Sequence, residues 1–280
     1  MRIHRLVIAV SALLCLGGAL SQAHAANEEP AFLDMGYRYM YDLQFNEAHR
    51  AFRRWQRLHP DDPLGQASDA AAYLFSEFER LHILELEYFA DDRNFRNQKP
   101  LSPDPKTKAR FESHLEKAKQ LADVILARDP QDANALFADV LVSALRSDYL
   151  ALIEKQTRVG LGYLKQARAL AEQLLAMHPS YYDAYLAIGV ENYLLSLKPA
   201  PVRWLLQISG AQTDRDKGVK SLRITAEKGH YLLPYARLLL AVAALREKDF
   251  DRARVLLQEL AQEFPNNRLY QMVLAQLRGI

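Results

Sequence analysis

The stretch FLDMGYRYMYDLQFNEAHRAFRRWQRLHP, from Phe32 to Pro60, holds two helix-length apolar patterns separated by a short polar turn. Phe32, Met35, Gly36 and Tyr39 recur at three- and four-residue steps on the first, and Ala48, Phe52 and Trp55 do so on the second, which is helical and not strand periodicity. Small residues stand where two antiparallel helices would cross, at Gly36 and Ala48, and Tyr39 and Phe52 fill the space beside them. Pro60 ends the second helix, because its ring removes an N–H donor and clashes with the preceding turn. The segment therefore predicts a helix hairpin with one apolar face left to be covered by a neighbour.

A second copy closes the chain. In YARLLLAVAALREKDFDRARVLLQELAQEFP, Leu240, Ala241 and Ala244 lie on one helix and Ala253, Leu257, Leu260 and Pro265 on the next. Its turn, Glu247-Lys248-Asp249-Phe250, parallels Asp42-Leu43-Gln44-Phe45. Between them, KAKQLADVILARDP ending at Pro130 and KQARALAEQLLAMHP ending at Pro179 read as second helices of further units, with Ala118 and Ala122, then Ala167 and Ala171, at the crossing positions. No sustained alternation of β-branched residues occurs, so the fold class is all-α. Recurrence of one unit along a chain predicts a solenoid of five helix pairs. The pairs are 29–42 with 45–58, 63–90 with 105–128, 132–149 with 154–177, 180–196 with 214–228, and 232–246 with 249–263, and 267–279 caps the stack. Insertions fall at 91–105, DDRNFRNQKPLSPDP, and at 198–213, KPAPVRWLLQISGAQT. The second predicts a short helix bearing Trp204, Leu205 and Ile208, followed by a helix capped at Thr213 in which Gly218 permits a close crossing.

The pattern of Phe32, Met35, Gly36, Tyr39, Ala48, Phe52, Trp55 and Pro60 resembles the tetratricopeptide repeat, with Phe32 where that family has Trp and Met35 where it has Leu. The resemblance spans most of residues 29–265. It implies a right-handed α-solenoid that binds a protein or peptide along a concave groove lined by first helices. Carried over position by position, that groove comprises Leu33, Tyr37 and Tyr41 in the first unit and Asn134, Phe137 and Leu141 in the third. Asp183, Leu186, Val190 and Tyr193 follow in the fourth, and Tyr235, Leu238 and Val242 in the fifth. The lining is apolar and tyrosine-rich, which suits recognition of extended or helical apolar segments. On this reading Tyr37→Ala with Tyr193→Ala weakens capture of the partner without unfolding the domain. Glu191 and Asn192 either serve as polar groups of the groove or hold the inserted loop. Residues 192–222 are also similar to the eukaryotic tetratricopeptide-repeat-39 and yeast inclusion-clearance family through Pro199, Pro201, Trp204 to Ile208, Gly210, Asp214, Arg215, Gly218 and Leu222.

The first 25 residues, MRIHRLVIAVSALLCLGGALSQAHA, have the organisation of a cleaved signal peptide: basic Arg2 and Arg5, an apolar run from Leu6 to Leu20, and Ala23-His24-Ala25 before the cut. The mature domain then covers 26–280 and works in the periplasm or at the outer-membrane periphery of a Gram-negative-type bacterium. The one cysteine, Cys15, leaves with the leader, so the mature protein has no thiol chemistry. Loss of Arg2 and Arg5 leaves 34 basic against 34 acidic side chains, interspersed along the helices, which disfavours nucleic acid as a partner.

The motifs of catalysis are missing. Neither HExxH nor GxSxG occurs, and no glycine-rich loop follows a strand. Glu-x-x-His occurs at Glu79–His82 and Glu227–His230, the spacing used by carboxylate-bridged metal sites in helical bundles, but Gly229 ends the second helix before His230. Glu112-Ser113 resembles the catalytic pair of lytic transglycosylases without their later Gly-Leu-Met-Gln. The expectation is a non-enzymatic exported scaffold with no catalytic residues, no metal and no cofactor. The alternative is a carrier of lipid or a small apolar ligand, with the helix of Trp204, Leu205 and Ile208 as its lid or membrane-surface contact.

Overall fold

The computed structural model describes residues 32–84 and 101–278, and every regular element among them is helical. In chain order these are α1 (32–41), α2 (Phe45–Leu58), α3 (Pro63–Arg80), α4 (Pro105–Leu126), α5 (Ala133–Asp148), α6 (Thr157–Met177), α7 (Tyr185–Ser196), α8 (Ala200–Ile208), α9 (Arg215–Lys228), α10 (Leu233–Arg246), α11 (Phe250–Glu263) and α12 (Arg268–Leu277). A wide turn of π type, Tyr149–Ile153, extends α5, and a short 3-10 turn, Tyr182–Ala184, leads into α7. The leader at 1–25 and most of the first insertion lie outside the described residues.

The starts of these helices are written in the sequence as Asx residues. Asp62, Asp104, Asp132, Asp214, Asp249 and Asn267 each accept a hydrogen bond from a backbone N–H of the first turn, satisfying one of the donors that a helix start leaves free. Asp214, not Thr213, caps α9: Asp214 accepts from the Lys217 N–H, while the Thr213 hydroxyl accepts from Gln207. The ends follow the prolines, since α2 stops at Leu58, α6 at Met177 and α11 at Glu263, each just short of Pro60, Pro179 and Pro265. The outer turns match as well. Leu43 and Lys248 hold equivalent places and both take left-handed backbone, at φ 59 and 62.

One boundary departs from expectation. The helix expected over 63–90 ends at Arg80, because buried Glu77 binds Arg80 and accepts the Asp104 N–H at 2.8 Å, while Arg80 also donates to the Ser102 carbonyl. Glu77 thus ties the end of α3 to the start of α4.

Packing runs neighbour to neighbour, α2 on α3 through to α11 on α12, with α9 packed on α7 and α8 left out of the sequence of contacts. This is the helical solenoid in which each unit covers its neighbour's apolar face. The small residues do what their places require: a Cβ on Gly36 would lie 2.2 Å from the Phe52 ring, and one on Gly218 would lie 2.6 Å from the Tyr193 amide nitrogen. The core is continuous from Leu33 to Leu277. No described helix is long and apolar enough to cross a membrane.

Candidate binding surfaces

The solenoid meets itself. Tyr41 of α1 donates its hydroxyl to the Tyr231 carbonyl at 2.9 Å, and Asn267 at the head of α12 donates to the Tyr41 carbonyl at 2.8 Å. The Asp42 carboxylate accepts from the backbone and side chain of Asn266 at 2.8 and 2.6 Å, and His230 lies 2.8 Å from Asp34. Tyr37 stacks on Tyr231 with ring centres 4.8 Å apart, Tyr41 packs on Phe264, and Phe75 meets Tyr235 edge-on at 5.4 Å. First unit and last unit are therefore joined across the inner side of the superhelix.

This closure decides what becomes of the groove positions. Tyr37, Tyr41, Leu141, Asp183, Leu186, Val190 and Tyr235 line one partly open pocket of about 70 Å³, which is narrower than a continuous groove. Leu238 lines a smaller neighbouring gap with Tyr41 and Tyr235. Leu33, Phe137, Tyr193 and Val242 are buried in packing between helices, Phe137 against Tyr181 with ring centres 4.8 Å apart. Asn134 is exposed at the rim, where its Oδ1 accepts from the Tyr181 hydroxyl at 3.3 Å. Burial pushes the hydroxyls of Tyr37, Tyr41 and Tyr235 well above the ordinary tyrosine range, so all three are neutral. Asp183 is a structural carboxylate: it accepts from the N–H groups of His230, Tyr231 and Leu232 at 2.9, 3.2 and 2.9 Å, fixing the turn before α10.

Among the described residues, the second insertion carries the densest run of exposed large apolar side chains. On α8, Trp204, Leu205 and Ile208 are 65%, 63% and 64% exposed, Val202 is exposed too, and no residue of the helix is buried. What holds α8 in place is a buried polar clamp. Glu191, fully buried on α7, accepts from the Gln212 N–H at 2.8 Å and pairs with Arg168 at 3.0 Å; Asn192 accepts from the Asp214 N–H and donates to Gln212. Arg168 reaches on to the Gly210 carbonyl, and Lys165 donates to the Ser209 carbonyl at 2.7 Å. Of the two readings left open for Glu191 and Asn192, the structure takes the loop-holding one. Glu191→Ala is expected to free the insertion at a cost of about 1–3 kcal/mol, because Arg168 keeps Glu172 as a partner. Limited proteolysis checks it: cleavage between residues 198 and 213 should accelerate in the variant, and an unchanged digestion pattern would reject the clamp.

Two polar features escaped the sequence reading. His49 bonds the fully buried Asp69 at 2.5 Å, His114 lies 3.6 Å from the same carboxylate, and Tyr73 packs between the two imidazoles. Burial pushes His114 down, which keeps it neutral. The other is Asp148 at the end of α5, which lines the central cavity without a hydrogen bond or ion pair to any described residue. The glutamates and histidines of the two Glu-x-x-His spacings are dispersed: Glu79 pairs with Arg268 and His230 with Asp34.

Residues 233–277, which form α10 to α12, match the tetratricopeptide repeat model. Among solved structures, the chain is similar to TTC0263, a thermophilic tetratricopeptide-repeat protein of Thermus thermophilus, at 17% identity and a TM-score of 0.45 over 90% of this chain and 100% of that one. No curated protein matches. The narrower similarity of residues 192–222 has no counterpart in these matches.

Proposed function

We propose that this chain, built on the tetratricopeptide repeat, is an exported, non-catalytic scaffold of the cell envelope that holds a protein partner through its inserted helix α8. The repeat fold suggests an interaction scaffold. The observation that carries the finer reading is α8 itself. Three large apolar side chains lie mostly in solvent on a helix that contributes nothing to the core, and a buried clamp holds it in one position. A contiguous exposed apolar patch costs solubility and marks a contact surface. Aromatic and aliphatic anchors on a preorganised element are the usual centre of such a contact. Export rests on the basic, apolar and small-residue order of residues 1–25.

The partner surface moves, on this reading, from the inner face to the outside. Replacing Trp204, Leu205 and Ile208 together by serine removes the anchors and leaves the core intact, since none of the three is buried. Crosslinking capture from the native envelope should recover a recurring protein with the unaltered chain and lose it with the triple variant; equal recovery would reject α8 as the contact. A second reading is a lipid surface, favoured by Trp204 on a helix with Lys198 just before it and Arg203 within it, the arrangement of interfacial helices. Flotation of the chain with anionic vesicles, abolished in the same variant, would establish that reading instead.

A further inference from the structure

Where the fourth unit meets the fifth, α9, α10 and the start of α11 border a cleft of about 350 Å³ that shares no residue with the inner pocket or with α8. Burial sorts its lining into two parts. Leu240, Ala243 and Ala244 of α10 are buried and form its base, with Val219 of α9 half-buried beside them. Lys220 and Arg223 of α9 and Arg252 of α11 are exposed and stand at its rim. The volume falls within the range of ligand clefts, about 300–1,000 Å³, and the small side chains of Ala243 and Ala244 account for the depth, because larger ones would fill it.

The rim cations have no use within the fold. On other helices basic side chains find acidic partners, as Arg80 finds Glu77, Lys108 finds Glu154 and Arg254 finds Asp251. Lys220, Arg223 and Arg252 pair with no described acidic side chain. Lys220 and Arg223, three residues apart on one helix face, also repel each other. Arg215 differs, since Glu247 of the same lining pairs with it. The excess is local: residues 198–228 hold seven basic and three acidic side chains, against 36 and 34 in the whole chain.

Chemistry narrows the occupant. An aliphatic base suits an apolar anchor, and unmatched cations at the rim suit anionic groups beside it. No aromatic ring lines the cleft, so a nucleobase would have nothing to stack on. Asp216 at the same rim repels a dense polyanion but leaves room for carboxylates spaced along a peptide. A flat lipid surface would not reach the buried base between the helices. We infer that the cleft docks an acidic amphipathic segment of a partner protein, with aliphatic side chains on Leu240, Ala243 and Ala244 and carboxylates on Lys220, Arg223 and Arg252. The inference does not rest on α8, and either surface can fail without the other.

The test is fluorescence anisotropy of the purified chain with a labelled synthetic peptide of about 14 residues, with leucines on one helical face and glutamates on both flanks. Its matched forms carry lysine for glutamate or serine for leucine. The expected result is one saturable site for the leucine–glutamate peptide, weakened by added salt, and no binding of the lysine form. Affinity should fall at least about tenfold for the serine form, and by as much when Lys220→Glu and Arg223→Glu remove two charge-assisted contacts. Both side chains are exposed, and an unchanged circular dichroism spectrum verifies that the fold is kept. Reversal of two exposed arginines on α2, Arg53→Glu with Arg57→Glu, should leave the affinity as it was, and so should serine in place of Trp204, Leu205 and Ile208. No saturable binding, equal binding of the serine form, retention of binding after the α9 reversal, equal loss in the α2 variant or loss in the α8 variant would each overturn the assignment. Binding to phosphatidylglycerol vesicles without binding of the peptide would overturn it too, and give the rim cations to a lipid surface.

Discussion

Replacement of Tyr37 by alanine is expected to destabilise the protein by about 3–5 kcal/mol, the range for truncating a large buried aromatic. Tyr37 is 4% exposed, stands edge-on to Phe52 within its own unit, and stacks on Tyr231 from the other end of the chain. Its hydroxyl accepts from Ser68 at 2.9 Å, so truncation also leaves that serine unpaired in the core. The family pattern taken alone predicts a different result, loss of partner capture with the domain intact, because it places Tyr37 on an open groove. Urea denaturation followed by circular dichroism separates the two. A variant that keeps full stability would mean that the first and last units stand apart in solution. Asn267→Ala, which loses its bond to the Tyr41 carbonyl and its cap on the Leu269 N–H, should cost about 1–2 kcal/mol at the same seam.

The contrast shows where sequence stops determining structure. Helix pairs were legible because each depends on a few residues close in the chain: a small residue at the crossing, such as Gly36 against Phe52, an Asx at the start and a proline past the end. The boundary at Arg80 was not, since it depends on Glu77 reaching across to Asp104, beyond a segment whose sequence says only that it is polar. Closure was hidden for a stronger reason. It follows from the rotation accumulated over five pairs and one insertion, and no single residue encodes that sum. Tyr37 and Tyr231 look like surface aromatics until the last unit arrives beside the first. The polar clamp left a visible trace, because Glu191 and Asn192 interrupt an otherwise apolar helix, and that is why its role could be posed as a question. Asp69 and Asp148 left less, since an aspartate on a helix reads alike whether its face meets water or core.

Asp148→Asn is expected to stabilise the protein, and by an amount that depends on pH. Desolvation in the cavity pushes the Asp148 carboxyl up to about 7, from about 3.9 in an unfolded chain. The folded state therefore holds this proton more tightly than the unfolded state does, and the sign follows: stability falls as pH rises from about 4 to about 7, then levels off. Below that window the wild-type carboxyl is neutral in both states and asparagine changes little. Above it, the wild type carries a half-buried charge in largely apolar surroundings that asparagine cannot acquire, and the variant should be more stable by about 1–3 kcal/mol, less than the full shift at 1.36 kcal/mol per pKa unit because the side chain reaches solvent. The other titrating groups, Asp183 and His114 among them, are common to both proteins and cancel in the difference. Denaturant midpoints at about pH 4.5 and pH 8 suffice to read it. A gap of the same size at both values would mean that the carboxylate is solvated and that the cavity does not desolvate it.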